Sequence, residues 1–193
     1  MSEFQFALFD TAIGRCGIVW SERGVAAVRF PERGEDAVRN RITRRFPDTR
    51  EAIPPAKTQR AIDDIVELLN GQVRDLRDIE IDLGEAPDFN RRVYDVARGI
   101  DPGETLTYGE VAERLGDRNL ARDVAQALGQ NPVPIIVPCH RVMAAGGKTG
   151  GFSAPGGVQT KLKLLSIEGA KLEAEPMLFD RLPLVAQRRR AAK

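Results

Sequence analysis

The sequence predicts an α+β protein in two parts, and three observations carry that prediction. Short apolar runs open the chain, amphipathic helical spacing follows, and Gly84-Glu85-Ala86-Pro87 reads as a linker between the halves. Phe4 to Phe9, Cys16 to Trp20 and Val25 to Phe30 have strand length and are separated by turns at Gly14 and Gly24, so they predict a small antiparallel sheet. Ile62, Ile65, Val66 and Leu69 share one face of a helix that Asn70-Gly71 ends, and Leu76 to Leu83 reads as a returning strand. After the linker, Asp88 caps a helix that turns Phe89, Val93 and Val96 inward. Thr107-Tyr108-Gly109-Glu110 is a capping box opening a helix with Val111, Ala112 and Leu115 on one side, closed by Gly116. Beyond the Asp117-Arg118 turn a second helix is capped by Asn119, carries Leu120, Val124, Ala127 and Leu128, and stops at Gly129 before Asn131-Pro132. Two short helices joined by a tight turn form a helix-turn-helix, a geometry as often structural as DNA-binding.

Composition bounds the function without choosing it. The chain has 193 residues, 42% of them apolar, enough for one large core or two small ones. The formal net charge is +1 and the pI about 7.8, below the strongly basic range of many DNA-binding domains. Residues 1–86 hold 13 Lys+Arg against 16 Asp+Glu, and residues 87–193 hold 16 against 12, so positive charge gathers in the second half. Arg188-Arg189-Arg190 and Lys193 could touch phosphates, but they also fit a frayed basic tail. The two cysteines, Cys16 and Cys139, fit a reducing cytoplasm, with Cys16 as a small buried apolar residue. No apolar run is long enough to span a membrane, and the first residues lack a signal-peptide pattern.

The chemistry points to Asn131-Pro132-Val133-Pro134-Ile135-Ile136-Val137-Pro138-Cys139-His140-Arg141-Val142. Prolines restrict the backbone on both sides of the sulfur, and the branched apolar residues predict a buried strand-like segment. A thiol near its ordinary pKa of about 8.5 is mostly protonated at neutral pH and needs a base or a positive field to become a nucleophile. His140 is the one imidazole in the chain, and on an extended segment it reaches the sulfur through a water or a local bend. Glu168, near the end of a later helix, is a candidate to orient that imidazole. The same residues also fit an inert buried cysteine and a solvated helix-end glutamate.

Pro138-Cys139-His140-Arg141, preceded by Asn131-Pro132 and followed by Glu168-Gly169, resembles the active-site pattern of the O6-alkylguanine-DNA alkyltransferases, the methylated-DNA–protein-cysteine methyltransferases. The resemblance extends over roughly Phe89 to Ala170, taking in Phe89-Asn90-Arg91-Arg92-Val93, Thr107 to Ala112 and Gly156-Gly157. It implies a ribonuclease-H-like domain over residues 1–84, a winged helix-turn-helix DNA-binding and methyltransferase domain over 87–175, and a basic tail over 176–193. It also implies repair by irreversible transfer of an O6-alkyl group from guanine, and of an O4-alkyl group from thymine, in double-stranded DNA. The damaged nucleotide is flipped out and the protein is spent as a monomer, without a cofactor.

Carried over residue by residue, Cys139 is the acceptor, His140 activates it through water, and Glu168 holds the imidazole in its proton-accepting tautomer. Asn131 is the hinge asparagine, and Tyr108 donates toward the departing guanine. Pro134, Val142, Met143, Phe152 and Ser153 bound the pocket, Ser153 beside O6. The second helix enters the minor groove with Ala121 and Ala125 permitting close approach, Arg118 nearby, and Arg122 filling the space left by the flipped base. Asp123 and Gln126 depart from the family pattern, which has small neutral residues there, and Ala154-Pro155 reads as an insertion. Some family members hold a structural zinc, but one histidine and one spare cysteine cannot build that site. Two other readings stay open: a damage-sensing module related to alkyltransferase-like proteins, and a cysteine hydrolase using Cys139, His140 and Glu168.

Overall fold

The computed structural model describes residues 4–34 and 36–171, and the basic tail expected over 176–193 lies outside them. Three strands form an antiparallel meander: β1 (Gln5–Thr11), β2 (Gly14–Ser21) and β3 (Gly24–Arg29). Gly14 and Gly24 take φ values of 121° and 133°, which residues with a side chain rarely adopt, so both turns sit where the glycines predict them. The short strand β4 (Arg50–Glu51) adds in parallel beside β1, giving the order β3-β2-β1-β4.

Helices cover the sheet. The first, α1 (Ala37–Arg45), has no counterpart in the sequence reading, because Val38 and Ile42 are its only buried residues and the rest is polar. It closes on Phe6, Val19 and Ala27, and it approaches so nearly that a Cβ on Gly17 would stand 2.7 Å from Ile42 and 2.9 Å from Val38. Helix α2 (Ala56–Leu69) buries Ala61, Ile62, Ile65, Leu68 and Leu69 in the main core and ends at Asn70, as the sequence predicts.

Residues 76–83 do not form the expected strand. They make one parallel bridge, Ile81 with Val25, in which Val25 N–H donates to Glu80 O at 2.9 Å and Asp82 N–H donates to Val25 O at 2.8 Å. The edge of β3 has no room for a longer ladder, because its later residue Val28 donates to Pro132 O at 3.0 Å. Asp82 is pinned instead by the Ser21 hydroxyl at 2.5 Å and by Arg23 at 2.8 Å.

The second half is mainly helical. In α3 (Asp88–Arg98) the cap position belongs to Pro87, and Asp88 stands in the first turn where its charge meets the positive end of the helix. Val93 is fully buried there, with Phe89 and Val96 packed at the core edge. Strand β5 (Leu106–Thr107) leads into α4 (Tyr108–Arg114), and the capping box forms: Glu110 N–H donates to Thr107 Oγ1 at 3.2 Å and Thr107 N–H to Glu110 Oε2 at 2.6 Å. The next cap is Asp117, not Asn119: its carboxylate accepts from Asn119 N–H at 2.9 Å and starts a 3-10 turn over Arg118–Leu120. Helix α5 (Ala121–Gly129) follows, tied to α3 by the Tyr94 hydroxyl on Ala127 O at 3.0 Å. Strand β6 (Val142–Met143) pairs in parallel with β5, and α6 (Val158–Ile167) completes the described chain. One core cluster joins Ile18, Trp20 and Ile65 to Val93, Val111 and Leu164.

Gly24→Ala tests the β3 edge. A Cβ there would lie 2.4 Å from Glu80 O at a φ of 133°, so the strap over residues 80–82 must shift. The expected loss is about 2–3 kcal/mol, read as a lower urea midpoint with an unchanged m-value.

Candidate active site

The segment from Asn131 to Pro138 is buried from Val133 onward, but it is not a strand as its apolar run predicts. Its prolines leave few amide donors, and Ile135 takes φ 77°, a left-handed conformation uncommon for a branched side chain. The loop is held by Val137 N–H on Val133 O at 2.9 Å and by the Asn131 side chain, which donates to Val137 O at 2.8 Å and accepts from Val133 N–H at 3.0 Å. Asn131 thus spans the loop as a bracket. Beyond Pro138 the backbone tightens into a 3-10 turn over Cys139–Arg141, which carries both the thiol and the imidazole.

His140 and Arg141 converge on one carboxylate. Glu168 caps the end of α6, and its Oε1 accepts from His140 Nε2 at 2.9 Å and from Arg141 Nη2 at 2.7 Å, while Oε2 accepts from Arg141 Nε at 2.9 Å. Arg141 Nη1 also donates to Ile100 O at 2.5 Å. Burial alone would raise the Glu168 carboxyl, but the hydrogen bonds from His140 and Arg141 outweigh it and bring it down to about 2. Burial pushes the His140 imidazole below its ordinary value against the pull of Glu168, so the ring is neutral. With Nε2–H committed to the carboxylate, Nδ1 is the lone-pair nitrogen, and it has no hydrogen-bond partner among the described residues. Burial also raises the Cys139 thiol, opposed by the Asn131 hydrogen bond and the Lys161 charge, both of which favour the thiolate.

Lys161 is the residue that the sequence reading missed. It lies fully buried on α6, its Nζ donating to Val142 O and Thr149 O, each at 2.6 Å, and standing 5.8 Å from the centre of the Tyr108 ring. Burial lowers its ammonium to about 8 against the attraction of Cys139. The signal was present: Lys161, Leu164, Leu165 and Glu168 recur at helical spacing, with charge at both ends of a buried stripe. Tyr108, the first residue of α4, lies against Gly150, where a Cβ would stand 3.0 Å from its ring. Its hydroxyl is 3.5 Å from Gly151 O, and burial raises its pKa so that the phenol keeps its proton.

Cys139 opens onto a cavity of about 810 Å3 that Tyr108, Asn131, Pro134, Phe152, Ser153 and Ala125 also line. Val142 and Met143 are buried on β6 and are not among the lining residues; Val142 serves instead through its carbonyl, which accepts from Lys161. Ala121 is half-buried on α5, whereas Arg118, Arg122, Asp123 and Gln126 are exposed. Arg118 reaches over Gly109, its Nε 3.5 Å from where a Cβ would sit, and forms no ion pair with Asp123.

Two substitutions test this arrangement. The Glu168 carboxyl is lower in the folded than in the unfolded protein, so its contribution is complete above the ordinary value of 4.5 and is lost as pH falls toward about 2. Glu168→Gln should therefore flatten the fall in stability across that range, as read from urea midpoints at successive pH values. Lys161→Met should cost about 2–5 kcal/mol by chemical denaturation, since the buried carbonyl of Val142 and the half-buried one of Thr149 lose their donor.

Known proteins resemble this chain in sequence and in fold. Residues 88–170 match the family model described as 6-O-methylguanine DNA methyltransferase, DNA binding domain. The methylated-DNA–protein-cysteine methyltransferase of Methanothermobacter thermautotrophicus is 37% identical over 159 residues, 82% of each chain. That of Mycobacterium tuberculosis is 40% identical over 126 residues, 65% of this chain and 74% of the relative. Among solved structures, the Mycobacterium tuberculosis O6-methylguanine methyltransferase matches with a TM-score of 0.69 at 32% identity, covering 93% of this chain and 100% of the other. The Mycobacterium tuberculosis OGT in complex with DNA matches with a TM-score of 0.70 at 31% identity, covering 86% and 92%. The mixed α+β architecture is shared with these solved structures, and the chain belongs to the methylated-DNA–protein-cysteine methyltransferase family.

Proposed function

We propose that the protein repairs O6-alkylguanine in double-stranded DNA by moving the alkyl group irreversibly to Cys139. The carrying observation is a buried thiol on a cavity, followed in sequence by a neutral imidazole whose Nε2 is tied to Glu168. In this reading His140 Nδ1 takes the thiol proton through one bridging water. The sulfur attacks the alkyl carbon, the carbon–O6 bond breaks, and its electron pair returns to the purine, which gains a proton and leaves neutral. Tyr108, still protonated, donates to the guanine ring as charge develops. A soft, desolvated thiolate suits this poor electrophile better than water does. The product is a thioether that simple hydrolysis does not reverse, so each protein acts once.

DNA access belongs to the same reading. The damaged nucleotide is flipped from the minor groove by α5, where Ala121 and Ala125 allow approach and exposed Arg122 fills the stack, with Arg118 beside it. Ser153 lies beside O6, and alkylated O4 of thymine fits the same chemistry. The described residues up to 84 belong to a ribonuclease-H-like part and those from 87 to 171 to a winged helix-turn-helix part of a cytoplasmic, monomeric protein.

Intact mass after incubation with a duplex bearing one O6-methylguanine tests the transfer. The expected gain is a single methyl at Cys139, absent in Cys139→Ser. Unchanged mass with lesion-selective binding would make the protein a damage sensor, and unchanged mass without binding would end the repair reading. Arg122→Ala should slow transfer from duplex DNA by about 10-fold or more, far beyond its effect on a free benzylated guanine; single-turnover rates on both substrates check this.

A further inference from the structure

The amino-terminal half reaches the acceptor cavity with positive charge. Arg29 at the end of β3 and Arg41, Arg44 and Arg45 on α1 line the same cavity as Cys139, and among its described lining residues Glu32 is the one carboxylate. Glu32 pairs with Arg41 at 3.2 Å. Arg45 stacks 5.8 Å from the centre of the Phe46 ring, and Arg44 is exposed without an ion pair among the described residues. Arg29 donates to Val28 O at 3.0 Å and to Pro132 O at 3.3 Å, and burial together with the Arg41 and Arg45 charges lowers its pKa. Complementing the negative end of α1 accounts for Arg44 and Arg45 in its last turn, but not for Arg29 on a strand or Arg41 a turn earlier.

Such crowding of like charge is relieved by an anion, and guanidinium groups match the geometry of a phosphate. We propose that Arg29, Arg41, Arg44 and Arg45 form a phosphate-binding wall for the backbone of the damaged DNA, a second contact surface besides α5. This rests on the reading that Cys139 takes its alkyl group from DNA. Because Arg29 also braces Pro132 O, a phosphate on the wall bears on the loop that holds Cys139.

The test is the salt dependence of binding to a duplex carrying one O6-methylguanine, followed by fluorescence anisotropy for the full chain and for the triple variant Arg41→Ala, Arg44→Ala, Arg45→Ala. Each lost phosphate contact should reduce the slope of log affinity against log salt by about 0.9, with the variant's deficit relative to the parent largest at low salt. An unchanged slope and affinity would overturn the wall. Arg44→Glu guards against a triple variant that fails to fold, since Arg44 is exposed and unpaired among the described residues; it should weaken binding about 10-fold at low salt, and equal binding would also overturn the proposal. Methyl transfer by the parent is measured on the same duplex. Transfer by the parent with an unaltered salt slope in the variants removes the wall alone, whereas no transfer by the parent removes the repair reading and the wall with it.

Discussion

The Cys139 sulfur is held by backbone that satisfies only part of its own hydrogen bonding. From Asn131 to Arg141 the chain is neither strand nor α-helix, and its prolines remove donors that a ladder would need. Buried peptide groups still require partners, so distant residues provide them. Asn131 brackets Val133 and Val137, β3 supplies Val28 N–H and Arg29 to Pro132 O, and Lys161 takes Val142 O just past the turn. The rigidity expected of prolines is therefore shared among the sheet, α6 and one asparagine.

Charge inside this region is arranged around the same need. Glu168 is buried but meets two side chains at once, and Arg141 is buried but divides its donors between that carboxylate and Ile100 O. A buried ion pair adds little net stability, yet removing either partner strands the other. The pair fixes which imidazole nitrogen carries the proton, and the neutral ring leaves its other nitrogen able to accept one. Lys161 adds a positive field that favours thiolate without touching the carboxylate.

Local rules were most legible where short-range chemistry decides the outcome. The glycine turns at 14 and 24, the helix end at Asn70 and the box between Thr107 and Glu110 are set within a few residues, and they form as read. The cap at Asp117 lies two residues before the one the sequence suggests, because Asn119 serves equally well on paper. Helix α1 was invisible since two apolar residues among arginines give no period, and its stability comes from Gly17 letting it approach the sheet. The run from Val133 to Val137 has every strand preference, and proline spacing with tertiary contacts overrides it. Cys139, His140 and Glu168 were legible as a motif, whereas Lys161 was not, because a lysine is ordinarily read as solvated.

The link from Val28 to Pro132 has a consequence for dissection of the chain. The seam at residues 84–87 divides the sequence but not the packing, since Ile18, Trp20 and Ile65 share a core with Val93, Val111 and Leu164. A fragment starting after that seam would keep the whole run from Asn131 to Val142 and lose the neighbours that close its loop from outside. Modularity in the gene and modularity in the folded molecule therefore part company here, and the amino-terminal sheet serves as scaffolding for chemistry encoded more than a hundred residues later.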